Sequence, residues 1–213
     1  MSAYLSLLFF ILWSSFAQAE DKFVIDEADQ DLEAIVAAIE TLQANFYQEV
    51  RDDQGHLIQE SSGTIKIKKP GRFIWHYESP EPQDIISDGK NLWLIDHELE
   101  QVSVQPLAKA LGNSPILLLT NYRAIYQDFE IRMLGEAFGL EWRALVPKVQ
   151  DTEFYRVEIG LKGNQVREMK LLDHFDQTTM IRFSRVLINH RIADKTFQFS
   201  PDKGLDVIGT VVE

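Results

Sequence analysis

Apolar residues recur at steps of three and four through Leu32, Ile35, Val36, Ile39 and Leu42. That spacing lays one apolar stripe along a helix from about Asp29 to Gln43, with Asp29 or Asp31 as its cap. The period then changes to two. Phe46, Gln48 and Val50 alternate with Tyr47, Glu49 and Arg51, which predicts a strand, and Asp52-Asp53-Gln54-Gly55 reads as a hairpin turn. A second, long strand follows to about Lys69. Alternation is clearest where Phe129, Ile131 and Met133 oppose Glu130 and Arg132. It is equally clear where Phe138, Leu140, Trp142, Ala144 and Val146 oppose Glu141 and Arg143. Tyr155, Val157, Ile159 and Leu161 repeat the pattern, as do Phe197 and Phe199, with turns at Lys162-Gly163-Asn164-Gln165 and Phe175-Asp176-Gln177-Thr178.

About eleven such strands at short spacing, with no long parallel crossover, predict one strongly curved antiparallel sheet or an incomplete barrel. Pro106 to Tyr126 breaks the alternation. Leu107, Ala108, Ala110 and Leu111 suggest a short helix, and Ser114-Pro115 opens a second that carries Ile116, Leu117, Leu118 and Leu119. With the N-terminal helix, these two could form a lid across the sheet. The expected class is therefore mainly β with an α lid: an unclosed antiparallel β-barrel covered by short helices.

Composition narrows the choices. Asp and Glu number 33 against 21 Lys and Arg, a net charge of −12. That balance repels phosphate backbones, so nucleic acid is excluded as the expected partner. The chain has no Cys, which removes disulfides, thiolate nucleophiles and Cys-ligated metals. Leu5 to Phe16 is a short apolar run followed by Ala17-Gln18-Ala19 and then acidic Glu20 and Asp21. It reads as a secretory signal peptide cleaved after Ala19, being shorter than a membrane span. Residues 1–19 are then the signal and residues 20–213 a single domain, without a linker or repeat. No Cys follows the cleavage site, so the product is not itself acylated there.

Motifs for chemistry are scarce. The five histidines, at 56, 76, 97, 174 and 190, are scattered, and none stands in His-Glu-x-x-His spacing. No nucleophile elbow, dinucleotide fingerprint or phosphate-binding loop occurs. Asp96-His97-Glu98 is the densest titratable cluster, and a solvated loop accounts for it. Neither a metal nor a cofactor is expected. The informative feature is an apolar excess in one neighbourhood. Phe73, Trp75 and Tyr77 share one strand face, Ile85 and Ile86 follow, and Leu92, Trp93, Leu94 and Ile95 form a block beyond the turn Ser87-Asp88-Gly89-Lys90. An ordinary core accounts for these residues. So does a ligand cavity, and two details favour it: Ile116 to Leu119 is more hydrophobic than a surface helix needs, and a charge points inward. Lys69 shares strand parity with Ile65 and Ile67, whereas Lys66 and Lys68 fall on the solvated face. A buried ammonium requires acceptors, and the free carbonyls at the end of a lid helix would supply them. Lys69 is thus either a latch between lid and sheet or a strand-end lysine snorkelling into water.

Several segments together resemble the periplasmic outer-membrane lipoprotein carrier family (LolA-type). They are Lys68-Lys69-Pro70-Gly71-Arg72-Phe73-Ile74-Trp75, Ile85-Ile86-Ser87-Asp88-Gly89-Lys90-Asn91-Leu92-Trp93, Leu99-Glu100-Gln101-Val102, Gly112-Asn113-Ser114-Pro115, and Phe197-Gln198-Phe199-Ser200-Pro201 with Gly204-Leu205-Asp206-Val207-Ile208. The resemblance implies an open barrel whose apolar cavity receives the acyl chains of a lipoprotein. It also implies a monomeric periplasmic chaperone without a chemical step, which takes cargo from an inner-membrane ABC-type releasing complex to an acceptor lipoprotein on the outer membrane. Carried over by position, Phe73, Trp75 and Trp93 become cavity or mouth residues, joined by Ile85, and Ile116 to Leu119 become the lid. Lys69 stands where the family usually has an Arg, and it cannot make that residue's planar forked contact. Two competing readings remain: a related lipid-sensing module of the same fold, and a secreted glycan- or lipid-acting hydrolase that uses Asp or Glu.

Overall fold

The computed structural model describes residues 28–110, 120, 127–149, 152–201 and 205–212. Residues 1–19, read above as a signal peptide, and Ile116 to Leu119 of the expected lid lie outside the described residues.

A helix α1 (Ala28–Ala37) leads into the strands β1 (Thr41–Arg51), β2 (Leu57–Lys68), β3 (Arg72–Ser79), β4 (Gln83–Asp88), β5 (Asn91–Asp96) and β6 (Gln101–Pro106). A single helical turn α2 (Leu107–Ala110) follows. Then come β7 (Phe129–Ala137), β8 (Leu140–Pro147), β9 (Phe154–Lys162), β10 (Gln165–Asp173), β11 (Thr178–Ile188) and β12 (Asp206–Gly209). Among the described residues the strands form one sheet in the order β12-β6-β5-β4-β3-β2-β1-β11-β10-β9-β8-β7. The arrangement is two antiparallel meanders, β1 to β6 and β7 to β11, joined where β1 pairs with β11. The ends of the order, β7 and β12, are not paired with each other, so the barrel is unclosed as expected.

Three local expectations change. The helical stripe ends at Ala37, and Leu42 belongs to β1, opposite Ile67 on one side and Ile188 on the other. Leu42 satisfies both periods, three beyond Ile39 and two before Ala44, so pattern alone could not place the boundary. A twelfth strand is present: Asp206 to Gly209 pairs with Gln101 to Val104 in parallel, the one parallel ladder of the described sheet. On β8 the apolar row faces the opposite way from the one alternation suggests. Arg143 lies opposite Ile159 and Leu145 opposite Val157, on the core face, while Leu140 and Trp142 pack over Gly160 on the outer face. Phe138, expected in the apolar row, is fully exposed at the β7–β8 turn, with φ at 55°.

The main core lines the concave face: Leu32 and Val36 of α1 meet Phe46, Ile65, Ile67, Phe73, Ile159, Leu161 and Met169. A smaller cluster of Trp93, Ile95, Val102 and Val104 lies on the other face, packed by Ile86, Phe199 and Leu205. The chain after β11 covers that outer face. There Asp194 accepts from Arg72 Nη1 at 2.7 Å and pairs with Lys68 Nζ at 2.5 Å, and Asn91 holds the backbone of Val212 through both its amide atoms.

Candidate functional site

A pocket of about 530 Å³ opens on the concave face, within the size range of small-molecule sites. One wall comes from β3 to β5, with Phe73, Trp75, Tyr77, Ile85, Leu92 and Leu94, and the other from β9 to β11, with Phe154, Leu171 and Ile181. Leu107 and Ala110 of α2 close one end. Phe73, Trp75 and Ile85, selected from the sequence, are thus brought together, and strand register shows why. Trp75 lies opposite Ile85, and Ile85 opposite Leu94, so cross-strand partners present their side chains on one face. Phe73 is only 1% exposed, which makes it part of the pocket's foundation more than its mouth.

Trp93 is not with them. Its neighbours Leu92 and Leu94 point into the pocket, so alternation sends Trp93 through the sheet to the outer cluster, where its ring meets Phe199 at 5.3 Å.

Aromatic packing organises the floor. Phe46 lies 5.0 Å from Trp75 and 5.1 Å from Tyr77, the second pair edge-on, and Trp75 stacks on Tyr77 at 6.2 Å. Such pairs hold rings more firmly than area burial alone. Burial pushes the Tyr77 phenol up to about 12, so the hydroxyl stays neutral at any physiological pH. The Trp75 indole N–H is buried with no acceptor among the described residues. The remaining polar lining consists of Gln48, Gln105, Thr179, Lys109 and Glu153. That supply of charge is sparse, and the set lacks a nucleophile beside a base. The geometry suits an apolar guest.

Sequence reasoning missed the far wall. Phe154 has the wrong parity for the row Val157, Ile159 and Leu161, yet it lines the pocket because the β9–β10 register shifts between Leu172 and Asp173. A bulge re-aims side chains in this way, and no residue pattern announces it.

Lys69 reaches the end of α1. Its ammonium donates to the Val36 carbonyl, in the last turn of the helix, and its backbone N–H donates to Glu40 at 3.0 Å. α1 has no basic residue in its last turn, so a lysine from β2's end supplies the cation that a helix C-terminus favours. Desolvation lowers Lys69 to about 8, against the opposing pull of the Glu40 carboxylate. Asn189, which the sequence did not single out, completes the hold. Its side-chain oxygen accepts from the N–H groups of Glu40 at 2.8 Å and Thr41 at 3.3 Å, and its Nδ2 donates to the Ala38 carbonyl at 2.9 Å. Sitting at φ 60°, a conformation Asn tolerates better than most residues, it caps a helix 151 residues away in sequence.

The chain matches the family model described as "Outer membrane lipoprotein carrier protein LolA" over residues 37–200. Curated relatives named outer-membrane lipoprotein carrier protein include one from Dechloromonas aromatica, 41% identical over 79% of this chain and 81% of its own length. Another, from Methylococcus capsulatus, is 37% identical over 96% of each chain. Among solved structures, an uncharacterized conserved protein from Thermus thermophilus shares the fold with a TM-score of 0.58 at 14% identity, covering 86% of this chain and 99% of that one. The open barrel, its apolar pocket and near full-length similarity to named carriers converge, and the chain belongs to the outer-membrane lipoprotein carrier (LolA) family.

Proposed function

We propose that this protein is a periplasmic chaperone that shelters the acyl chains of lipoproteins in the pocket between β3–β5 and β9–β11. It takes cargo from an inner-membrane ABC-type releasing complex and delivers it to an acceptor lipoprotein on the outer membrane. The observation that carries the reading is the pocket itself: about 530 Å³ walled by Trp75, Tyr77, Ile85, Leu92, Leu94 and Phe154 in a chain of this family. An acyl chain of a dozen methylenes costs roughly 10 kcal/mol to leave in water, which no unaided crossing of an aqueous compartment offsets. A wall of half-buried apolar side chains removes most of that cost without a covalent step.

The reading extends to position and route. Residues 1–19 act as the secretory signal, residues 20–213 as the mature carrier domain, and the protein works as a monomer. Lys69 and α1 form a latch at one end of the barrel, and α2, whose Leu107 and Ala110 line the pocket, belongs to the lid.

The test uses Leu94, which lines the pocket and is only half-buried. Leu94→Glu places a carboxylate on the guest's surface and leaves the core cluster intact. Protein purified from periplasm and weighed natively is expected to carry acylated polypeptide in the wild type and none in the variant. Equal cargo on both, or none on the wild type, overturns the assignment of the pocket.

A further inference from the structure

A second recess lies at the α1 end of the barrel and shares no lining residue with the acyl pocket. It measures about 530 Å³, walled by Ile35 of α1, Ile39 just beyond the helix and Ile188, with Gln165 and Glu141 near the strand ends and Arg143 within β8. Arg143 stands out. Only 4% exposed, it is a guanidinium on the core face of β8, a planar fork of N–H donors. Its hydrogen bonding is incomplete. Nη1 donates to the Trp142 carbonyl at 3.3 Å and Nη2 to Glu141 at 3.3 Å, both long for a charged donor. Its Nε–H is buried with no acceptor among the described residues. Glu141, meanwhile, is 60% exposed and so largely solvated, a weak counter-ion for a buried cation.

We propose that this recess is a binding site for an anionic amphiphile, a carboxylate or phosphate head on an aliphatic chain. The head pairs side-on with the Nε–H and Nη2–H edge of Arg143, and the chain lies against Ile35, Ile39 and Ile188. One edge of a guanidinium presents two parallel N–H groups, the geometry that carboxylate and phosphate oxygens match in a fork. Glu141 holds part of that edge and can swing into water as the anion enters. The apolar side of α1 supplies contact area that a bare inorganic ion would not use. The site stands independently of the carrier reading, since neither its charge nor its walls belong to the acyl pocket.

The experiment follows the Arg143 Nε–H resonance of isotope-labelled full-length protein during titration with decanoate and, separately, decyl phosphate, with decanol and acetate as probes of chain and head alone. Decanoate or decyl phosphate is expected to shift the resonance saturably, and the stronger of the two identifies the head. Decanol should bind about tenfold more weakly, the loss expected for a charge-assisted pair, and acetate at least about tenfold more weakly because it lacks the aliphatic chain. Arg143→Gln should abolish the preference for decanoate over decanol. Glu141→Gln should tighten decanoate by removing the competing carboxylate, and Ala34→Trp, on the exposed helix wall, should block the recess in a fully folded protein. Equal affinity for decanoate and decanol overturns the proposal, as does decanoate binding that survives both Arg143→Gln and Ala34→Trp. Binding lost in Leu94→Glu but kept in Ala34→Trp would place the anion in the acyl pocket and overturn it equally.

Discussion

Lys69 answers two opposing demands. Its ammonium satisfies a helix-end carbonyl, yet desolvation lowers its proton affinity to about 8 from the usual 10.5. The folded state therefore binds fewer protons than the unfolded chain between those values, and unfolding free energy from this group rises with pH across that window. Below pH 8 the ammonium is charged in both states, and its desolvation opposes folding in full. Lys69→Met removes the titration. The difference in unfolding free energy, wild type minus variant, is expected to increase from pH 8 to 10.5 in denaturant melts. A flat difference would mean that the lysine is solvated in solution. An Arg at this position would not titrate in that window, so the pH dependence follows from this chain's own residue.

At the scale of elements, α1 is a ten-residue helix, too short to persist alone in water. It is held by a buried stripe, Leu32 and Val36, and by partners distant in sequence. The stripe was readable from its spacing. The partners were not, because Asn189 and Lys69 meet the helix only once β1 has paired with β2 on one side and β11 on the other. Asn189→Gly keeps the left-handed backbone and deletes the side-chain bonds. It is expected to cost about 1–2 kcal/mol and to speed amide exchange in α1 ahead of the strands. Exchange that accelerates uniformly through the sheet would contradict a local cap. β8 teaches the same lesson in another form. Alternation correctly marked it as a strand, but residues of both its rows are buried, and polarity pointed to the wrong row as the one facing inward. Pairing with β9 decided that, and it turned a charge into the core.

For the whole molecule, the curved sheet carries two apolar faces over β3 to β6. The concave face is left for a guest, and the convex one is sealed by the molecule's own C-terminal segment. Trp93 distinguishes them. If the outer cluster is purely internal packing, Trp93→Ala loses about 3–5 kcal/mol of stability, while cargo retention at low temperature stays at the wild-type level. Cargo lost from a variant still folded at that temperature would return Trp93 to the binding machinery. The −12 charge gives the exterior a further property, repulsion from anionic lipid headgroups, consistent with a carrier that does not adsorb to the membranes it serves.

Local spacing and residue type were enough to determine most of the strands, the presence of the leading helix, the absence of Cys chemistry and the apolar neighbourhood of Phe73, Trp75 and Ile85, though the alternation of Phe197 and Phe199 belongs to a 3-10 turn and the coil after it. These depend on periods of two or 3.6 and on side chains a few positions apart, information that the linear chain carries in full. Which face each row occupies, where Phe154 is re-aimed by a bulge, how Asn189 caps a helix far from it in sequence, and why Arg143 lies inside were decided only by long-range pairing. A strand's two faces are equivalent until its neighbours arrive, and a shift of one position exchanges inside for outside.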